Sequence, residues 1–193
     1  MYKKFSKKFN KDMIILTPGE YYASKDREII CTAVGSCIAT CLFDSKTGVA
    51  GMNHFLVPGM VNTKNILSTE MGRYGMYAME VLIGDIIKLG GERGNIKAKV
   101  FGGGSILKFR ESDGNISQSN IAFIRKFLQL EGISLLKEDM GGAVVRMILF
   151  FTDTGKVLLK KLPYTSAPNA IKREEKYKVS LFRKRLQEPP FFF

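Results

Sequence analysis

The chain has 193 residues, 45% of them apolar, and a formal net charge of +12; that length suffices for one domain with a sizeable core, without metal or disulfide support. No stretch approaches the roughly 20 uninterrupted apolar residues of a membrane span, and the lysine-rich start "MYKKFSKKFNKDM" lacks the apolar core of a signal peptide. The sequence therefore reads as cytoplasmic, without membrane insertion, and its three cysteines, all within residues 31–41, read as free thiols.

The charge is uneven. Residues 1–11 hold five lysines and no acid, residues 12–155 hold 15 basic and 15 acidic side chains, and residues 156–193 hold ten basic and three acidic. A neutral body with basic ends is not the continuous basic face of a nucleic-acid reader, and no zinc-finger, RNP-type or helix-turn-helix signature is present. The organisation expected is a basic N-terminal tail over residues 1–12, a folded body over 13–167, and a basic C-terminal extension over 168–193.

In chain order, "MIILTP" (13–18), "EIICTAV" (28–34) and "CIATCLFD" (37–44) read as strands. "SKTG" follows as a turn and "VAGMNHFLVP" (49–58) as a further strand. Residues 68–91 place Met76, Met79, Leu82, Ile83, Ile86 and Ile87 at helical steps and end on Gly90 and Gly91, an amphipathic helix with a glycine stop. "IKAKVFGGG" (96–104) is a strand. A second helix starts at about Ser117, with Ile121, Ile124, Phe127 and Leu128 on one face. "VVRMILFFTD" and "GKVLLKKL" form a hairpin about Thr154 and Gly155, and "PNAIKREEKYKVSLFRKRLQEPPFFF" suits one charged helix of about four turns. Helices separated by hairpins, without strict strand-helix alternation, predict an α+β domain. Its mixed or antiparallel sheet layers are flanked by two main helices and carry a C-terminal helical extension.

"FGGGSI" lacks the lysine of a phosphate loop and the spaced glycines of a dinucleotide fingerprint, so no nucleotide cofactor is expected. Gly102 and Gly103 let the backbone approach another strand, or a substrate whose oxygens meet backbone N–H groups.

The cysteines and the single histidine carry the chemistry. With Ser45 and Lys46 as a two-residue loop, Cys37 falls opposite His54, within reach of a thiol-imidazole contact. A longer loop with Gly48 in a left-handed bulge slides that register by up to three residues. An imidazole beside a thiol can accept its proton and yield the attacking thiolate, and such a cysteine should alkylate faster than Cys31 or Cys41. Gly35 and Ser36 keep the approach to the sulfur open, and Ser36 is a candidate substrate contact. A strand cysteine is equally a small core residue and a lone histidine equally structural, so both readings stand on these residues alone.

Four segments in order, "TAVGSCIATCLFD", "GMNHFLVPG", "AKVFGGGSIL" and "LLKEDMGGAVVRMILFFTDTGKVLLKKL", resemble the CheD family of chemoreceptor glutamine deamidases. The resemblance runs from about Thr17 to about Leu162, and Ile171 to Glu188 is similar to an extension found in some members. It implies a fold related to toxin-type cysteine deamidases, with Cys37 as nucleophile, His54 as acid and base, Thr32 orienting the imidazole, and no metal or other cofactor. The implied substrate is the side-chain amide of glutamines on the cytoplasmic domain of methyl-accepting chemoreceptors, converted to glutamate and ammonia. Some members of the family also bind a CheC-type phosphatase. Two other readings stay open: an inert regulator-binding protein of the same fold, and a zinc module using Cys31, Cys37, Cys41 and His54. Against the second, strand residues four apart are about 13 Å apart, too far to share one ion.

Overall fold

The structure, a computed structural model, describes residues 1–57, 70–105 and 116–187. The predicted first residues of the long helix at 68–69, the end of the "AKVFGGGSIL" segment and the terminal "PPFFF" lie outside the described residues. Ten strands are found among the described residues: β1 (Tyr2–Ser6), β2 (Lys11–Ile15), β3 (Tyr21–Ser24), β4 (Ile29–Val34), β5 (Ile38–Asp44), β6 (Val49–Phe55), β7 (Ile96–Gly102), β8 (Ser134–Met140), β9 (Val144–Phe151) and β10 (Val157–Pro163). With them are the α-helices α1 (Glu70–Lys88), α2 (Ile116–Leu130) and α3 (Pro168–Gln187). The class is α+β.

Two five-stranded sheets stack, one ordered β1-β2-β4-β9-β10 and the other β3-β6-β5-β7-β8. Both are mixed: β2 runs parallel to β4 and β7 parallel to β8, and the remaining pairs are antiparallel. Side-chain alternation on β5 and β6 builds both cores. Ile38, Leu42, Val49 and Phe55 face α1 and α2, where they meet Met79, Leu82, Ile83, Ile86, Phe123 and Phe127. The intervening residues, Ala39, Cys41, Ala50 and Met52, face the other sheet and meet Ile30, Val34, Ile148 and Phe150. The order is therefore helices, sheet, sheet. A strand buried on both faces reads as one apolar run, which is why "CIATCLFD" shows no polar alternation.

The glycine stop after α1 is observed: Gly90 has φ +97°, and the Gly91 N–H donates to Ile86 O at 2.9 Å. The N-terminal segment corrects the expected tail. Residues 2–6 form edge strand β1, paired with β2 from Tyr2 opposite Ile15 to Ser6 opposite Lys11, so the boundary placed at residue 12 falls inside a strand. Its lysines look like a tail because β1 buries almost nothing, and charged side chains on an edge strand discourage pairing with other chains. The β5–β6 register is also corrected. Asp44 pairs with Val49 across a four-residue loop in which Gly48 adopts φ +73°, so His54 lies opposite Ala39 and not Cys37.

The β8–β9 turn is tied to the rest by a buried arginine. Arg146 Nε donates to Asp139 Oδ1 at 2.8 Å and its Nη2 donates to Gly141 O at 2.7 Å. Desolvation works to raise the Asp139 carboxyl, but hydrogen bonds from Lys161 and Arg146 outweigh it and hold the group below its ordinary value. With a depressed folded-state value, the stability it contributes is present above the ordinary carboxylate range and is lost as pH falls through the folded-state value. Asp139→Asn leaves Arg146, 2% exposed, without its carboxylate. Chemical denaturation is expected to show a loss of about 2 kcal/mol at neutral pH that shrinks in acid.

Candidate active site

The site forms where the chain leaves one sheet for the other. Gly35, Ser36 and Cys37 link β4 to β5, and all three carbonyl groups of this turn are taken on one side. Gly104 N–H donates to Gly35 O at 2.6 Å, Asn120 Nδ2 to Ser36 O at 2.9 Å, and Gly103 N–H to Cys37 O at 2.8 Å. Asn120 is buried on α2 and is fixed in turn by the Val57 N–H, which donates to its Oδ1 at 2.6 Å. With the carbonyls held this way, the N–H groups of Gly35 and Ser36 are left to point into the site.

The run "FGGG" thus acts by backbone approach, the first of the two roles expected for it. A Cβ on Gly102, whose φ is +120°, would lie 2.1 Å from Cys37 O. Both Gly102 and Gly103 are buried, and the Gly103 N–H is spent on the Cys37 carbonyl instead of standing open to a substrate.

Alternation along β4 selects Thr32 over Cys31. Ile30, Thr32 and Val34 face the space between the sheets, where His54 on β6 also points, while Cys31 is only partly buried. Thr32 Oγ1 donates to Leu16 O at 3.0 Å and lies 2.8 Å from His54 Nδ1. A hydroxyl has one proton. With that proton committed to Leu16, the contact requires Nδ1–H to donate, which leaves Nε2 as the basic nitrogen in the neutral ring. Cys37 lies two residues before Ala39, the cross-strand partner of His54, on the same face of the sheet. That is a diagonal pair, and it brings thiol and imidazole together without direct opposition.

A residue that the sequence pattern does not single out completes the cluster. Glu174 of α3 is 1% exposed. Its Oε1 accepts from the Gly35 N–H at 2.6 Å, and its Oε2 accepts from the Ser36 N–H and the Ser36 hydroxyl, both at 2.8 Å. Its Oε1 lies 3.6 Å from His54 Nε2, longer than a hydrogen bond, and that nitrogen has no hydrogen-bond partner among the described residues. Thus Cys37, His54, Thr32 and Ser36 are brought together. The C-terminal extension does not stand apart from the body: its helix reaches into this site through Glu174, and Leu181 joins the core between the sheets.

Burial above all, and the Glu174 charge and hydrogen bond next, push the Cys37 thiol well above its ordinary value. Burial opposes the Glu174 charge, but attraction to His54 and the hydrogen bonds from Gly35 and Ser36 outweigh it and keep the carboxyl below its usual value. In this arrangement Cys37 is a protonated, enclosed thiol. The expectation that it alkylates faster than its neighbours is therefore reversed while α3 is seated: Cys31, pushed up by burial to about 11 yet partly exposed, is the accessible one.

Cys37, His54 and Glu174 offer ligand atoms within 4.8 Å of one another, the one such group among the described residues, and neither Cys31 nor Cys41 belongs to it. The four-residue zinc set that the sequence leaves open is thus not assembled. No helix among the described residues is long and apolar enough to cross a membrane.

A buried thiol, an imidazole oriented by a hydroxyl, and backbone donors that grip a carboxylate define the kind of site found in thiol-dependent amide hydrolases. Residues 56–161 match the family model described as "CheD chemotactic sensory transduction". The chain is 42% identical over 174 residues to a protein of Methylobacillus flagellatus named "Probable chemoreceptor glutamine deamidase CheD", covering 90% of this chain and 85% of that one. Proteins of the same name from Herminiimonas arsenicoxydans and Thiobacillus denitrificans are 40% and 41% identical, with the same coverage. The chain belongs to the CheD family.

Proposed function

We propose that this protein acts in the cytoplasm as a chemoreceptor glutamine deamidase, hydrolysing glutamine side-chain amides on the cytoplasmic domain of methyl-accepting receptors. The observation that carries the reading is the seat of Glu174: a side-chain carboxylate, the product of such a reaction, lies against Cys37 and His54 on the donors of Gly35 and Ser36. A substrate glutamine in that seat places its carbonyl oxygen on the same donors. Cys37 gives its proton to His54 Nε2 and attacks the amide carbon. Charge developing on the oxygen is stabilised by the Gly35 and Ser36 N–H groups and the Ser36 hydroxyl. The imidazolium then protonates the departing ammonia, and water, deprotonated by the same nitrogen, hydrolyses the thioester to glutamate. Gly102 and Gly103 hold the turn that carries the nucleophile, and no step calls on a metal.

Mass spectrometry of receptor cytoplasmic fragments co-expressed with this protein tests the reading. The expected result is the mass gain of an amide turned to an acid at particular glutamines. Fragments left unchanged by the folded protein would favour an inert binder of the same fold.

Thr32 provides a graded test. Thr32→Val keeps the shape but leaves Leu16 O and His54 Nδ1 without their partner, at a cost of about 1–2 kcal/mol in stability. The ring also loses the contact that fixes its tautomer, so turnover of receptor fragments is expected to fall by about ten- to a hundredfold, with Thr32→Ser retaining most of it.

A further inference from the structure

Helix α3 is an unusual covering element. Its inward face carries Ala170, Ile171 and Tyr177, all half-buried, and Leu181 at 5% exposure, with Glu174 at 1% in the middle. Its deepest side chain is thus a charged one, and the groups that hold it are those assigned to the chemistry. A helix kept purely as scaffold buries an apolar stripe; burying a carboxylate costs free energy unless the receiving donors already suit it. The donors of Gly35 and Ser36 do suit it, because they also suit the oxygen of a primary amide.

Two further features mark α3 as a seated ligand. The Tyr177 ring fills a slot opened by Gly19, where a Cβ would lie 2.6 Å from the ring, so the seat has a second recognition point one turn from the carboxylate. The first turns do not lie flush: a cleft of about 230 Å³ remains between them and the sheet, lined in part by Tyr2, Leu16, Cys31, Met147, Ala170 and Arg173.

We infer that α3 is a tethered product mimic: the pocket holding Glu174 is the glutamine side-chain subsite, the groove under α3 is the docking groove for a substrate helix, and receptor glutamines reach Cys37 only when α3 has left. This rests on the deamidase reading above. Glutamine differs from glutamate at this seat by an NH2 in place of one oxygen, so α3 and a helical substrate compete for the same donors. Seated, α3 keeps Cys37 covered and protonated. Released, it uncovers the thiol and removes the Glu174 charge from beside it, so that Nε2 of His54 can take its proton.

Two measurements on the full-length chain test this. The first is the rate of Cys37 alkylation by iodoacetamide, with Cys31 as internal reference, in wild type, Glu174→Ala and Leu181→Ala. Either substitution loosens α3, one at the seat and one away from it, and each is expected to speed Cys37 alkylation by about tenfold or more. Unchanged rates in folded variants overturn the proposal, whatever the activity. The second uses Glu174→Gln. If the pocket is the substrate seat, Cys37 attacks the side-chain amide carbon introduced at position 174, the C–N bond breaks, ammonia leaves with the His54 proton, and water hydrolyses the thioester, restoring glutamate. Peptide mass spectrometry is expected to find the acid at position 174, and to find the amide retained in the Glu174→Gln, Cys37→Ser double variant. An amide that persists at position 174, in a protein whose wild type converts receptor fragments, overturns the seat assignment. Faster alkylation with no conversion of that amide or of any receptor fragment sinks the deamidase reading and supports α3 as the cover of Cys37.

Discussion

Replacing Cys37 by serine is expected to abolish deamidation of receptor fragments, a loss of about a thousandfold or more, in a protein that remains folded. The substitution exchanges one sulfur for one oxygen at a position with no solvent exposure. The hydroxyl takes the place of the thiol beside Glu174, so the stability change is expected to stay within about 1 kcal/mol. The chemistry does not survive the exchange. A thiol can pass its proton to a neighbouring imidazole, whereas a hydroxyl is far less acidic, and in this site no carboxylate backs the imidazole: His54 Nδ1 donates to the neutral hydroxyl of Thr32. Cys41 is the control. It lies 1% exposed among Ala39, Ala50 and Met52, and Cys41→Ala is expected to cost about 1 kcal/mol while leaving turnover unchanged. Mass spectrometry for activity and denaturant titration for stability separate the two effects. A Cys37→Ser protein that still converts glutamines would remove Cys37 from the mechanism. Joint unfolding of the cysteine variants, reproduced by a chelator, would instead point to a structural metal.

What can be read from the sequence follows from where burial is two-sided or one-sided. β4, β5, β6, α1, α2, β7 and β9 are legible because each carries a buried pattern of period two or 3.6, or an unbroken apolar run, and the edge strand β10 because Val157, Leu159 and Leu162 stay half-buried. β1 and β8 are not, because they are edge strands whose residues are mostly exposed, so hydropathy carries no period there, and the four-residue β3 is too short to show one. Thr32, Cys37 and His54 are reached through the family resemblance, while the residue pattern alone leaves them open between core and catalysis. A two-residue hairpin loop puts Cys37 and His54 together through the wrong register, since only the loop conformation at Gly48 sets it. Glu174 escapes notice because it is remote in sequence and sits beside Glu175 among seven basic residues of the extension, where an acid reads as a solvated partner. The available signal is its place on the one sparse apolar stripe of that helix, three residues from Ile171 and Tyr177 and seven from Leu181.

The second large effect is expected from a single methyl group at Gly102. Gly102→Ala should cost about 3 kcal/mol or more and remove most of the activity of whatever remains folded, although no catalytic atom is touched. Two separate penalties combine. At φ +120° an L residue is strained, a cost of about 1–2 kcal/mol by itself. The added Cβ would also sit 2.1 Å from Cys37 O, closer than any real contact, with Val34 at 3.2 Å on another side. Neither partner can yield cheaply. Gly102 is paired with Ile38, Gly103 N–H holds Cys37 O, and Gly141 N–H holds Gly102 O, so relief of the clash must move the Gly35–Cys37 turn itself. That turn carries the nucleophile and the two N–H donors, and a shift of about 1 Å in a positioned group is enough to cost about a hundredfold in rate. Gly48→Ala separates strain from approach: Gly48 also has positive φ, at +73°, but nothing lies within 4 Å of where its methyl would sit, so only the conformational cost of about 1 kcal/mol remains and turnover is expected to be unchanged. Denaturation midpoints and receptor-fragment turnover for the two variants, side by side, check the argument. Equal losses in both would mean that backbone conformation alone, and not the close approach to Cys37, is what Gly102 supplies.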